Sequence, residues 1–253
     1  MLEICALASG SNGNCYYIGN EEDAVLVDAG ISTRQILQRM YSRKLDYRKV
    51  RGVFISHEHS DHVRGVRVLV KKLGIPAFFT GNTFSALWHT IQPKSYTPFQ
   101  PGESFRFSSF TIHPFLKKHD AKEPCSFRIE HGGISVGVFT DIGTACGNVT
   151  SHLTKCHAVF LETNYDEKML WEGRYPYYLK RRVASDVGHL SNKQAFELLS
   201  EHAGAMLQSV FLSHLSAENN TPEIAYNEIN PLEGRFRLHL TSREEASIVT
   251  KVV

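Results

Sequence analysis

His57-Glu58-His59-Ser60-Asp61-His62 follows almost directly on the apolar run Val53-Phe54-Ile55. Six residues therefore carry three imidazoles and the Asp61 carboxylate, besides Glu58, at the end of a strand-like segment. Imidazole nitrogens and carboxylate oxygens suit zinc, manganese or iron, and four such donors exceed what one ion usually takes from one short stretch. As a plain polar loop the same residues would repel or desolvate one another without compensation. The stretch reads as a metal site, and as one that holds more than a single ion.

Working outward, other apolar runs also end in metal-ligand residue types. Val25-Leu26-Val27 ends at Asp28-Ala29-Gly30, and Phe110 to Leu116 is followed by His119-Asp120. Val136 to Thr140 runs into Asp141, and Val210-Phe211-Leu212-Ser213 closes on His214. Between strand-like Leu2–Leu7 and Cys15–Ile18 lies the turn-rich Ser9-Gly10-Ser11-Asn12-Gly13-Asn14. Ser32 caps a helix through Ile36, Leu37 and Met40. Val63, Val66, Leu69, Val70 and Leu73 predict one helix from Asp61 to Leu73. The middle of the chain is β-rich, with Gly132-Gly133 as a hairpin turn. Beyond it, helices and strands alternate as far as Phe236–Leu240.

With 253 residues the chain can bury a substantial core. Charges or turn residues interrupt every apolar run, so no membrane span is expected, and the short apolar start lacks the basic flank of a signal peptide. Five scattered cysteines without a CxxC pair favour reduced thiols and a cytoplasmic protein. A net charge of +2 does not by itself argue for nucleic acid.

His-x-His-x-Asp-His after a strand, with the later strand-end residues in order, resembles the metallo-β-lactamase-fold superfamily of hydrolases. The resemblance implies an α/β (α+β) fold, a four-layer αββα sandwich, with residues 1–253 as a single domain. It implies two divalent metal ions (zinc, manganese or iron). His57, His59 and His119 would hold the first, and Asp61, His62 and His214 the second, with Asp141 bridging both. His113 competes with His119 and is disfavoured because it falls inside a strand. Asp28 either orients the ligand loop from behind or simply caps a turn. Two such ions share a hydroxide and aim it at an electrophile, which serves esters, thioesters, lactams and phosphodiesters alike.

Two further segments narrow the substrate. Gly188-His189-Leu190-Ser191-Asn192 and Phe160-Leu161-Glu162-Thr163-Asn164 resemble paired elements of the tRNA-processing nuclease ribonuclease Z. There a Glu orients a His that protonates the leaving oxygen, which implies Glu162 and His189 as partners and, with Asp61, as the catalytic residues. Tyr177-Tyr178-Leu179-Lys180-Arg181-Arg182 mixes aromatics with cations that suit phosphates and bases. Ser11, Asn12, Lys180, Arg181, Arg182 and Asn192 are therefore expected to contact substrate. The overall pattern is similar to the YycJ (WalJ) subgroup of bacterial relatives, regarded as 5′-to-3′ exonucleases on duplex DNA. The chain has no room for the extra domain of β-CASP nucleases and no long arm like that of ribonuclease Z, which weakens RNA processing. The expectation is a metal-dependent phosphodiesterase acting on nucleic acid, with duplex DNA as partner. The rivals are a lactonase or glyoxalase II-like thioesterase and a non-catalytic, metal-dependent DNA-binding module.

Overall fold

The inner strands of this chain read as near-continuous apolar runs because both of their faces are covered. In β1 (Leu2–Ala8), Leu2, Ile4 and Ala6 join one core while Cys5 and Leu7 join another. The computed structural model describes residues 1–89 and 96–253. The first sheet continues with β2 (Cys15–Gly19), β3 (Ala24–Val27), β4 (Val50–Phe54), β5 (Ala77–Phe79) and β6 (Tyr96–Pro98). The second holds β7 (Phe105–Phe107), β8 (Phe110–Leu116), β9 (Cys125–His131), β10 (Ile134–Phe139), β11 (Ala158–Glu162), β12 (Ser209–Ser213) and β13 (Arg237–Leu240). A final strand, β14 (Thr250–Val252), returns to pair with β1. The orders are β14-β1-β2-β3-β4-β5-β6 and β13-β12-β11-β10-β9-β8-β7.

Between the sheets lies an aromatic-rich core that includes Tyr16, Phe54, Phe127, Phe160 and Phe211. Burying each such side chain contributes about 1.5–3 kcal/mol. Helices α1 (Thr33–Ser42) and α3 (Val66–Leu73) cover the outer face of the first sheet through Ile36, Met40, Val66 and Leu69. On the second, α5 (Gly147–Leu153), α8 (Asn192–His202) and α9 (Pro222–Ile229) do the same through Val149, Leu153, Leu198 and Ile229. The result is the expected four-layer αββα sandwich. Ser32 and Gln35 form a full capping box at the start of α1.

The single helix expected from Asp61 to Leu73 is instead two, α2 (Ser60–Val63) and α3, broken at Arg64-Gly65. Gly65 N–H donates to the Ala29 carbonyl at 2.7 Å. A Cβ there would lie 2.1 Å from the Ile31 oxygen, so the chain bends where it must touch the neighbouring loop. The short helices α4 (Gly81–Leu87), α6 (Glu167–Glu172) and α7 (Tyr177–Val183) complete the set. Gly132 and Gly133 both have positive φ, 56° and 82°, as a tight β9–β10 hairpin requires. All five cysteines are free thiols, and no helix among the described residues is long and apolar enough to cross a membrane.

Candidate metal centre and active site

Parallel pairing collects the chemistry at one end of the sandwich. β3 and β4 run parallel with Val27 opposite Phe54, so Asp28 and the Ser56–His62 loop emerge side by side. In the second sheet, Phe139, Leu161 and Leu212 lie in register on β10, β11 and β12, and Glu162 faces Ser213. Asp141, Glu162 and His214 therefore leave adjacent strands together, the usual place for a site in parallel sheets. Asp28, Asp141 and His214 adopt left-handed φ of 59°, 55° and 56°. They are three of only five non-glycine residues with positive φ among the described residues, so backbone strain is concentrated here.

Two groups of donors face the same space. His57 Nε2 and His119 Nε2 lie 3.1 and 3.4 Å from His59 Nδ1. Asp61, His62, Asp141 and His214 form the second group. Asp141 Oδ2 is 3.2 Å from both His62 Nε2 and His214 Nδ1, and Asp141 Oδ1 is 3.7 Å from His119 Nε2. Asp141 Oδ2 and His214 Nδ1 are buried yet form no hydrogen bond with any described residue, so they converge on a point without satisfying each other. Behind the donors, the other ring nitrogens are held. His57 Nδ1 is 2.9 Å from Ser56 Oγ, His62 Nδ1 is 2.7 Å from Asp28 Oδ2, and His119 Nδ1 is 3.0 Å from the Gly188 carbonyl. Nitrogen and oxygen donors so oriented fit divalent metal ions.

Charge supports the same fit. Burial pushes His57 well below the usual imidazole range and His119 down to about 4, leaving both neutral as ligands must be. Burial opposes charge on His62 and His214 as well, but Asp141 and the other nearby carboxylates overcome it and hold both imidazoles protonated well above that range. A divalent cation held by these residues would have to displace those protons. Asp28 takes Ser56 N–H on Oδ1 at 2.8 Å and Ser56 Oγ–H on Oδ2 at 2.8 Å while facing His62. Its Asn variant is expected to bind metal about 10–100-fold more weakly in competition with a chromophoric chelator. Unchanged affinity would reduce Asp28 to a turn cap.

Next to these groups, His189 Nδ1 lies 2.7 Å from Glu162 Oε1. The remaining oxygen, Glu162 Oε2, accepts from Ile142 N–H at 2.6 Å and Leu190 N–H at 3.3 Å, which fixes the carboxylate in place, and with His189, Asp141 and His214 it makes a third donor group that overlaps the second. Burial works against its charge, but the charge and hydrogen bond of His189, with His214 Nδ1 3.3 Å away, hold its pKa down at about 2. His189 also borders a cavity of about 230 Å³ shared with His59, Asp61, His119, Asp141 and His214.

Residues expected to touch substrate separate in space. Ser11 and Arg182 line this cavity, with Arg182 Nε 2.5 Å from Asp120 Oδ2. Asn12, Lys180 and Arg181 do not line it, and Lys180 Nζ donates to the Trp171 carbonyl at 2.7 Å. Asn192 is buried, with its amide paired to that of Asn220 at 2.9 and 3.0 Å, so it is part of the packing and not of the cavity wall. His113 sits in β8 beside Ser104 and Glu130, away from the donor groups. Sequence reasoning passed over Asn14, whose Nδ2 lies 3.2 Å from His62 Nε2 and 3.4 Å from Asp61 Oδ2, and Asn164, which donates to the His214 carbonyl at 2.7 Å. The only local signal for Asn14 was its place in a small-residue loop beside the first strand.

A family model described as "Beta-lactamase superfamily domain" matches residues 23–214, the span that holds every one of these donors. The chain belongs to the beta-lactamase superfamily. Two curated relatives place it in the YycJ-like subgroup. One is "Exodeoxyribonuclease YycJ" of Bacillus anthracis, 33% identical and covering 88% of this chain and 86% of the relative. The other is "Exodeoxyribonuclease WalJ" of Streptococcus pneumoniae, 30% identical and covering 97% of this chain and 96% of the relative. In fold, this superfamily member is similar to the metallo-β-lactamase fold protein YhfI from Bacillus subtilis, with a TM-score of 0.73 at 17% identity over 97% of this chain and 98% of that one. The family, the fold and the donor groups together make the protein a metal-dependent hydrolase.

Proposed function

We propose that this hydrolase is a two-metal phosphodiesterase that degrades DNA, acting as a 5′-to-3′ exonuclease on double-stranded substrate. Its relatives' names point to DNA, and the observation that carries the reading here is the Glu162–His189 pair at 2.7 Å beside the donor groups. A phosphodiester's alkoxide departs poorly as an anion and needs a proton, a service that lactones and thioesters demand less. In this reading His57, His59 and His119 would hold one ion and Asp61, His62 and His214 the other, with Asp141 available to both. Zinc, manganese and iron all suit the donors.

Bound divalent ions supply an activated water and offset charge on the phosphoryl oxygens. The chain's own residues do the rest. Asp61 and Asp141 hold the centre together and accept the proton released from the attacking water. Two backbone N–H groups lock Glu162, which aligns His189. His189 then delivers its proton to the leaving oxygen. Arg182 exchanges Asp120 for a substrate phosphate at the cavity edge. Free thiols accord with a reducing, cytoplasmic setting.

The test uses protein loaded with zinc or with manganese, 5′-phosphorylated linear duplex DNA labelled at either end, and Asp61→Ala as control. Progressive shortening from the 5′ end, absent in the control, is expected. Intact DNA together with turnover of thioesters or lactones would replace this reading with a small-molecule hydrolase. Tight DNA binding without cleavage would make the protein a regulatory binding module.

A further inference from the structure

Helix α7 contributes nothing to any core. It is the one α-helix among the described residues in which no residue is buried. Seven residues gain little stability from their own hydrogen bonds, so such a helix is normally held by the face it packs. Here polar ties hold it instead: Arg182 to Asp120, and Lys180 to the Trp171 carbonyl. What it presents outward is aromatic and cationic. Tyr177 and Tyr178 are 70% and 74% exposed, and Trp171, at the end of α6, is 46% exposed with its ring 6.4 Å from that of Tyr177. The helix also carries Lys180, Arg181 and Arg182 and no acid.

This surface adjoins the active-site cavity. Tyr175, Leu179, Arg182 and Val183 line the cavity from the α7 side. Within α7, Tyr178 stands four residues before Arg182, which puts the two on the same side of the helix. At about 230 Å³ the cavity is smaller than the ~300–1,000 Å³ of pockets that enclose drug-sized ligands. One phosphodiester of a single strand fits such a space, and a base pair does not.

From these observations we infer that the segment 167–183 is a stacking platform for single-stranded nucleic acid, so that the strand to be cut enters the cavity unpaired. Bases lie on Trp171, Tyr177 and Tyr178, and phosphates face Arg174 and Arg181. Every base offers a π-face, so the platform is sequence-tolerant. The inference rests on the phosphodiesterase reading and refines it: a duplex end has to open at α7 before hydrolysis.

Fluorescence anisotropy with metal-free protein tests the platform without any cleavage. The probes are a labelled mixed-sequence single-stranded oligonucleotide and a blunt duplex of the same length. Wild type is expected to bind the single strand more tightly than the duplex. Y177A/Y178A should weaken single-strand binding by about tenfold or more, while Y177F/Y178F, which keeps both rings, should stay near wild type. Both tyrosines are so exposed that the fold should tolerate either pair. Preference for blunt duplex, or wild-type binding by the Ala pair, would overturn the inference. Hydrolysis with metal separates the two claims. Single-strand binding without cleavage leaves the platform standing and sinks the phosphodiesterase, whereas equal cleavage of blunt duplex by wild type and the Ala pair does the reverse.

Discussion

His189→Ala is expected to lower DNA hydrolysis by about 10²–10⁴-fold while leaving bound metal unchanged. The geometry sets both halves of this result. His189 Nδ1 is committed to Glu162 at 2.7 Å, and its separation from the nearest oxygen of Asp141 is 3.9 Å, so the ring stands beside the donor groups and is tied to a carboxylate of its own. Removing it takes away the proposed proton donor and leaves His57, His59, His119 and the Asp61–His62–Asp141–His214 group in place. A diester with a p-nitrophenolate leaving group needs little protonation, so its hydrolysis should fall far less than that of DNA. An equal loss on both substrates would deny His189 the role of acid. Loss of metal from the variant, measured by plasma emission, would make His189 a ligand instead.

Gly30→Ala is expected to disable the metal centre from a position that carries no chemistry. A Cβ on Gly30 would lie 1.5 Å from the Asp61 carbonyl oxygen and 2.7 Å from Asn14 N. That crowding falls on a three-way junction: Gly30 N–H donates to the Asn14 carbonyl at 2.7 Å, and Asn14 N–H donates to the Asp61 carbonyl at 2.8 Å. Both obstacles are backbone, so relief requires the Asp61 peptide to move, and its side chain and His62 move with it. A cost of about 3 kcal/mol or more and much weaker metal binding should follow, read by thermal unfolding and by metal titration. Gly81→Ala is the matched control, since a Cβ there meets nothing within 4 Å and the residue lies in a helix. Wild-type stability and affinity in Gly30→Ala would show that the ligand loop yields freely.

The candidate metal donors were legible because ligation demands particular side chains and because apolar runs mark the strands that deliver them. His57, His59, Asp61, His62, Asp141 and His214 each follow such a run by a few residues. Resemblance to known hydrolases then linked Glu162 to His189, which no periodicity could do. Surface contacts were far less legible. Asn192 looked like part of a functional motif, yet its amide is spent on Asn220 inside the protein. Lys180 reads in sequence as a substrate contact, yet its ammonium group donates to the Trp171 carbonyl and ties α7 to α6. A charged or amide side chain serves packing, pairing or substrate equally well, and composition does not distinguish these uses.

By itself, the sequence implied the αββα layering through its resemblance to the metallo-β-lactamase-fold superfamily, and its apolar runs marked which strand ends carry residue types that suit a metal. Only the tertiary structure decided which ends meet. β14 exists as a strand because β1 offers it an edge, and the Asp61–Leu73 helix breaks because Gly65 must approach the Ala29–Ile31 loop. The backing of His62 by Asp28, the contact of Asn14 with both Asp61 and His62, and the engagement of Arg182 by Asp120 all join residues at least 34 apart in the chain. Local patterns report how a segment turns its side chains, whereas such contacts arise only when parallel strands align their ends and two sheets close over one core.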